Sequence, residues 1–247
     1  MTSPTRSLLS TVPLVALVVL LLVYTAQRMV RADAAAPPAP QAHKLTPPPG
    51  GKPISVAFVL TENATMIDFA GPWEVFQDTM LGSGEAMQMP FQLYTVSASR
   101  NPIHATGGMT IVPDYTFDDA PAPRIVVVPA QQGRIPQMMD WLRRMDKQAD
   151  VVMSVCTGAF QLGAAGLLDG KPATTHHQFY DRFQQSFPQA KLVRGQRYVQ
   201  SDDVLYTAGG LTSGIDLALH IVEQYYGRDV ALATARYMEY ESARWQQ

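Results

Sequence analysis

Thiols are nearly absent from this chain: Cys156 is the one cysteine in 247 residues. An internal disulfide is therefore impossible, cysteine usage leaves the redox compartment open, and any thiol chemistry falls to Cys156. Charge is also scarce, at 16 % of residues with a net of −2. That balance lacks the basic footprint of a nucleic-acid binder, and no nucleic-acid partner is expected. The five histidines (His43, His104, His176, His177, His220) show no metal-ligand spacing beyond one adjacent pair. With a single thiol beside them, no metal site is expected. No phosphate-cradling GxxxxGK occurs, so no nucleotide cofactor is expected either. There is no internal repeat.

One long apolar run is present. Residues 7–27 carry no charged side chain, and the core of the run, "LLSTVPLVALVVLLLVY", just reaches the length of a membrane-crossing helix. Tyr24 stands where an interfacial aromatic would sit. A cleaved signal peptide is the rival reading, with "RADAAAP" as the cleavage site, but that site lies far from the run. The expectation is a membrane anchor over residues 1–31, in the bilayer through 8–26, with the remainder outside the cytoplasm on the periplasmic side. Residues 32–52, rich in proline and alanine, read as an extended linker. A folded domain is expected over 53–247.

Within that domain, continuous apolar, β-branched runs at 54–60, 91–98, 124–130 and 151–155 predict buried strands. Helices are predicted over 71–80, 135–148, 157–168, 178–187, 212–227 and 229–242, with Pro72 in a first turn. Hairpins are predicted over 103–117, turning at Gly107-Gly108, and over 197–209, with Asp202-Asp203 at the tip. Strands alternating with helices predict an α/β fold, a mainly parallel sheet covered on both faces. Ligands bind such sheets at the carboxyl ends of the strands.

That rule picks out Cys156, which follows the strand at 151–155 and precedes a helix. A residue there sits on a tight turn, the mechanics of a nucleophile elbow. The following helix start is expected to lower the thiol pKa and to supply N–H donors for an oxyanion. Gly158 permits close backbone approach. The alternative is that Cys156 is a small buried hydrophobe.

Three separated stretches, "IDFAGPWEVF" (67–76), "SVCTGAFQLGAAGLLDGKPATTHH" (154–177) and "YTAGGLTSGIDLALHIVE" (206–223), resemble the ThiJ/PfpI superfamily. The nearest branch is the one holding isonitrile hydratase and the N-terminal domains of AraC-type regulators. The resemblance spans nearly all of 53–240 and implies a three-layer, flavodoxin-like fold of the class I glutamine amidotransferase-like type. It implies Cys156 as nucleophile and Asp68 as the acid beside it. Asp68 is also readable as the N-cap of a helix starting near Gly71. The resemblance further implies that Thr157 turns its N–H to the oxyanion and that His176 lies near the thiol. His177, being adjacent, is expected to point elsewhere. Many relatives carry Pro-Gly-Gly where this chain reads "PAQQG" (129–133). Ala130 and Gln131 resist the positive φ that glycines allow, so either the turn is rearranged or the oxyanion hole is incomplete. Gln131 remains a candidate donor, through its N–H, or reader of substrate, through its amide.

Two functions follow. One is a cysteine-dependent hydratase or hydrolase acting on a small electrophile, such as an isonitrile, an aldehyde or an amide-like molecule. The other is a non-catalytic ligand-binding or redox-sensing module. The regulators of this branch bind DNA through an added helix-turn-helix module, and the sequence is expected to lack one. Members are often dimers, so a homodimer is a further expectation.

Overall fold

A computed structural model of the protein describes residues 45–246. The expected anchor at 8–26 and most of the expected linker lie outside these residues. Among the described residues, no helix is long and apolar enough to cross a membrane.

The predicted apolar runs at 54–60, 91–98, 124–130 and 151–155 form strands, and shorter strands lie between and after them. They are β1 (Ile54–Val59), β2 (Phe91–Ser97), β3 (Ile103–His104), β4 (Thr110–Ile111), β5 (Tyr115–Thr116), β6 (Ile125–Val128), β7 (Val151–Ser154), β8 (Pro172–Ala173), β9 (Lys191–Leu192), β10 (Tyr198–Gln200) and β11 (Leu205–Ala208). Seven of them build one sheet in the order β10-β11-β7-β6-β1-β2-β5. Every neighbouring pair in it is parallel except β10–β11.

The helices are α1 (Met66–Gln77), α2 (Pro136–Met145), α3 (Ala159–Ala164), α4 (Tyr180–Ser186), α5 (Ser213–Tyr226) and α6 (Arg228–Tyr237). Alternation along the strands splits the core in two. Val56, Phe58, Val127 and Met153 pack with Phe76 of α1, Leu219 of α5 and Ala231 of α6. Ala57, Val59, Val126 and Val152 pack with Leu142 of α2, Leu162 of α3 and Phe183 of α4. This is the three-layer arrangement expected of the fold.

Several boundaries differ from the sequence reading. α1 starts at Met66, not near residue 71, which puts Pro72 inside the helix. Its start is set from afar: the Met66 N–H donates to Thr106 Oγ1 at 3.0 Å, and the Thr65 N–H donates to the Ala130 carbonyl at 2.7 Å. The hairpin expected over 103–117 is only β3–β4, and Tyr115–Thr116 leaves it to pair in parallel with β2. α3 is shorter than the predicted 157–168 because Gly166, at φ +75°, turns the chain away. Leu45, in the stretch expected to be linker, is buried in the core. β8 and β9 lie outside the strands and hairpins that the sequence predicts.

The chain leaves β1 for β2 on one side and returns to β6 on the other. The order therefore reverses between β1 and β6, and a ligand crevice belongs at the carboxyl ends of these strands.

Candidate active site

Cys156 follows β7 and Val155 directly, at the same carboxyl edge, and adopts φ +58°. A non-glycine residue in this left-handed region is strained, and such strain gathers at functional sites. The turn is pinned on both sides: the Cys156 N–H donates to the Gly209 carbonyl at 2.7 Å, and Thr175 Oγ1 donates to the Cys156 carbonyl at 2.8 Å. A Cβ on Gly158 would stand 2.0 Å from the Val128 carbonyl oxygen. Glycine is thus required there, and the expectation of close backbone approach holds. Gly158 does not serve as an oxyanion donor, however, because its N–H is spent on the Val155 carbonyl at 2.9 Å.

Asp68 is fully buried in the first turn of α1. It is not the N-cap, since the residue before the helix is Thr65. Its Oδ2 accepts the Ala130 N–H at 3.2 Å, and its Oδ1 has no hydrogen-bond partner among the described residues. The Cys156 thiol and the Leu211 N–H also face this carboxyl group. Burial pushes Asp68 up to about 7, against the lowering effect of the Ala130 N–H, the Cys156 thiol and the Leu211 N–H. The structure thus brings the two central predicted residues together.

The thiol behaves differently from expectation. Burial, followed by the charge of Asp68, pushes Cys156 up to about 12, although the N–H groups of Thr157 and Leu211 face the sulfur and pull the other way. The expectation of a lowered thiol pKa is corrected. α3 has six residues and begins after a short turn, and its field does not offset the loss of water around the sulfur. Near neutral pH the pair is a thiol beside a carboxyl group poised to gain or lose a proton.

Thr157 is half-buried, and its N–H faces the Cys156 sulfur. The Gln131 side-chain oxygen is engaged within the protein: its Oε1 accepts from the Thr61 N–H at 2.7 Å and from Thr61 Oγ1 at 3.1 Å. Its backbone N–H donates to no acceptor among the described residues. Ala130 and Gln131 both avoid positive φ, which falls instead on Gly133 at +87°. The replacement of the glycines therefore leaves no left-handed strain at Ala130 or Gln131. His176 rests on the loop after β11, where a Cβ on Gly210 would be 2.0 Å from its Cδ2. No hydrogen bond joins His176 to Cys156 among the described residues. His176 Nδ1 accepts the Gln178 N–H at 3.3 Å, and burial lowers its pKa, so the ring is neutral with its other nitrogen a donor. His177 is exposed, and its ring stacks on His176 with centroids 4.5 Å apart.

Sequence reasoning missed the Leu211 and Ala130 N–H groups and Thr175. Leu211 lies inside the "TAGGLTSG" motif, so a signal existed, but a backbone donor leaves no mark of its own in side-chain identity. Among the described residues, no group of three or more His, Cys, Asp or Glu side chains is placed to hold a metal ion.

The chain is similar in sequence and fold to known proteins. The chain is 33 % identical over 195 residues to isonitrile hydratase of Pseudomonas putida, covering 77 % of this chain and 80 % of that enzyme. It is 29 % identical over 205 residues to the HTH-type transcriptional regulator GbdR of Pseudomonas aeruginosa, covering 81 % of this chain but only 54 % of the regulator. The chain thus spans about half the length of that regulator. Among solved structures, a ThiJ/PfpI family protein from Pseudomonas syringae superposes with a TM-score of 0.68 at 24 % identity, covering 86 % of this chain and 84 % of that one. An AraC family transcriptional regulator from Pseudomonas putida superposes at 0.65 with 19 % identity, covering 75 % and 100 %. Residues 54–224 match the model of the DJ-1/PfpI family, and the chain belongs to that family.

Proposed function

We propose that the protein is a cysteine-dependent hydratase or hydrolase acting on a small electrophilic molecule. One observation carries this reading: a strained Cys156 at the carboxyl edge of the sheet, with the buried Asp68 carboxyl group against its sulfur. A carboxyl group poised near 7 suits a general base at neutral pH. Asp68 takes the thiol proton as the sulfur forms a bond to the electrophilic carbon, so the thiol need not ionise beforehand. Negative charge developing on the substrate falls to the N–H groups of Thr157 and Gln131. Asp68 then returns the proton to the adduct, and water releases the product and restores the thiol.

The substrate class most in keeping with the relatives is an isonitrile. For such a molecule the sulfur and proton add to the terminal carbon, and water replaces sulfur to leave a formamide. An aldehyde or amide-like substrate uses the same groups.

A second reading is a ligand-binding or redox-sensing module that turns nothing over. It is favoured by the regulator relatives and by the replaced Pro-Gly-Gly turn. A panel of isonitriles, aldehydes and amides separates the two. The enzyme reading expects turnover that falls at least a hundredfold in Cys156→Ala and in Asp68→Asn, about the contribution of a general base. Ligand binding without turnover by the wild type would favour the second reading and remove the first.

A further inference from the structure

We propose that Arg197 and Asp216 are positioning residues that hold the loop from Gly209 to Thr212, and with it the Gly209 carbonyl that accepts the Cys156 N–H, against the nucleophile. The proposal rests on the reading of this site as catalytic, and it concerns backbone groups whose chemistry no side chain supplies.

Leu211 adopts φ +55°, a conformation that an L-residue takes up only under strain. Its side chain is 44 % exposed, so apolar packing does not hold it there. Arg197 does. Its carbonyl accepts the Gly209 N–H at 2.8 Å, two residues before Leu211. Its guanidinium donates to Thr212 Oγ1 at 3.0 Å, one residue after. The same guanidinium donates through Nε to Asp216 Oδ2 at 2.5 Å. One residue therefore grips the loop on both sides of the strained position.

Asp216 anchors that grip. It is fully buried, and its second oxygen accepts from the Tyr240 hydroxyl at 3.0 Å. A buried ion pair is often no more stabilising than apolar groups of the same shape, so stability alone does not account for it. A fork-shaped donor reaching two acceptors at once fixes geometry, which a point charge does less well. The held loop also meets the nucleophile a second time, because the Gly209 carbonyl accepts the Cys156 N–H at 2.7 Å. Among the described residues, Asp68 is the one charged group that bears on the Cys156 sulfur. Arg197 thus acts through the loop and not through its own charge.

Alkylation tests this cleanly, because Cys156 is the only thiol in the chain. The rate of reaction with iodoacetamide is measured against pH in the full chain, in Arg197→Lys, which keeps a charge on Asp216 but loses the fork, and in the milder Thr212→Val at an exposed position. Both variants are expected to keep the circular dichroism of the wild type. The expected result is alkylation slowed about tenfold at neutral pH in Arg197→Lys, as the loop that fixes the Cys156 N–H loosens by about the worth of one hydrogen bond, with the profile displaced to higher pH. Thr212→Val should shift the same way by less. A wild-type profile in both variants overturns the proposal. So does a lowered melting temperature with an unchanged profile, which would assign Arg197 to stability alone. Alkylation needs no turnover. A clamp-dependent profile in a chain that converts no electrophile would sink the hydratase reading and leave the clamp, whereas turnover with an unaltered profile would sink the clamp alone.

Discussion

Taking a carboxyl group out of water favours its neutral form, and Asp68 shows the consequence for stability as well as for chemistry. Its folded-state pKa is raised from 3.8 to about 7. The stability it contributes is therefore fully present below the unfolded value, and it is lost as pH rises through the folded value. An asparagine keeps the shape of the neutral acid without the charge. Asp68→Asn should be more stable than wild type by a few kcal/mol at about pH 8, with the gap closing toward about pH 4. Urea melts at several pH values would show this, and parallel pH dependences in the two proteins would refute it. The identity of Asp68 as a site residue was legible from its motif. Its burial was not, since the Ala130 N–H that meets it lies 62 residues away in the chain. The raised thiol was also hidden, because desolvation depends on what surrounds Cys156 in space and not on the helix that follows it.

At the scale of elements, the elbow joins β7 to α3 across a contact that tolerates no side chain. A methyl group on Gly158 would meet the backbone of β6, which cannot step aside. Gly158→Ala should cost about 3 kcal/mol, at the upper end for overpacking, and should depress Cys156 alkylation with it. A urea midpoint within error of wild type would show that the elbow can relax. The strands of this layer were readable because buried parallel strands are continuous apolar runs. α1 was misplaced at its start because Thr106 Oγ1, from the β3–β4 hairpin, takes its first N–H. β8 and β9, of two residues each, carry too little pattern to be seen.

For the whole molecule, the sheet and its two helical layers form one scaffold that presents the carboxyl ends of β1, β6, β7 and β11 together. That edge carries Asp68, the 129–133 turn, Cys156 and Leu211, from four separate stretches of chain. We propose that residues 8–26 tether this scaffold to a membrane and place it on the periplasmic side, as the uncharged run at 7–27 suggests. An alkaline phosphatase fused to the C-terminus should then be active in cells. Activity confined to a cytoplasmic reporter fused at the same point would refute that placement.

Composition and local order by themselves determined a good deal. One thiol followed a β-branched run, helices alternated with strands, and three motifs stood in family order. Periodicity and covalent sequence carry these because burial on two faces demands them of neighbouring residues. Tertiary structure alone decided the protonation of the Cys156–Asp68 pair, the engagement of the Gly158 N–H and of the Gln131 side-chain oxygen within the protein, and the hold of Arg197 on the Gly209–Thr212 loop. Each of these depends on water excluded, or on backbone groups brought close, by parts of the chain far apart in sequence.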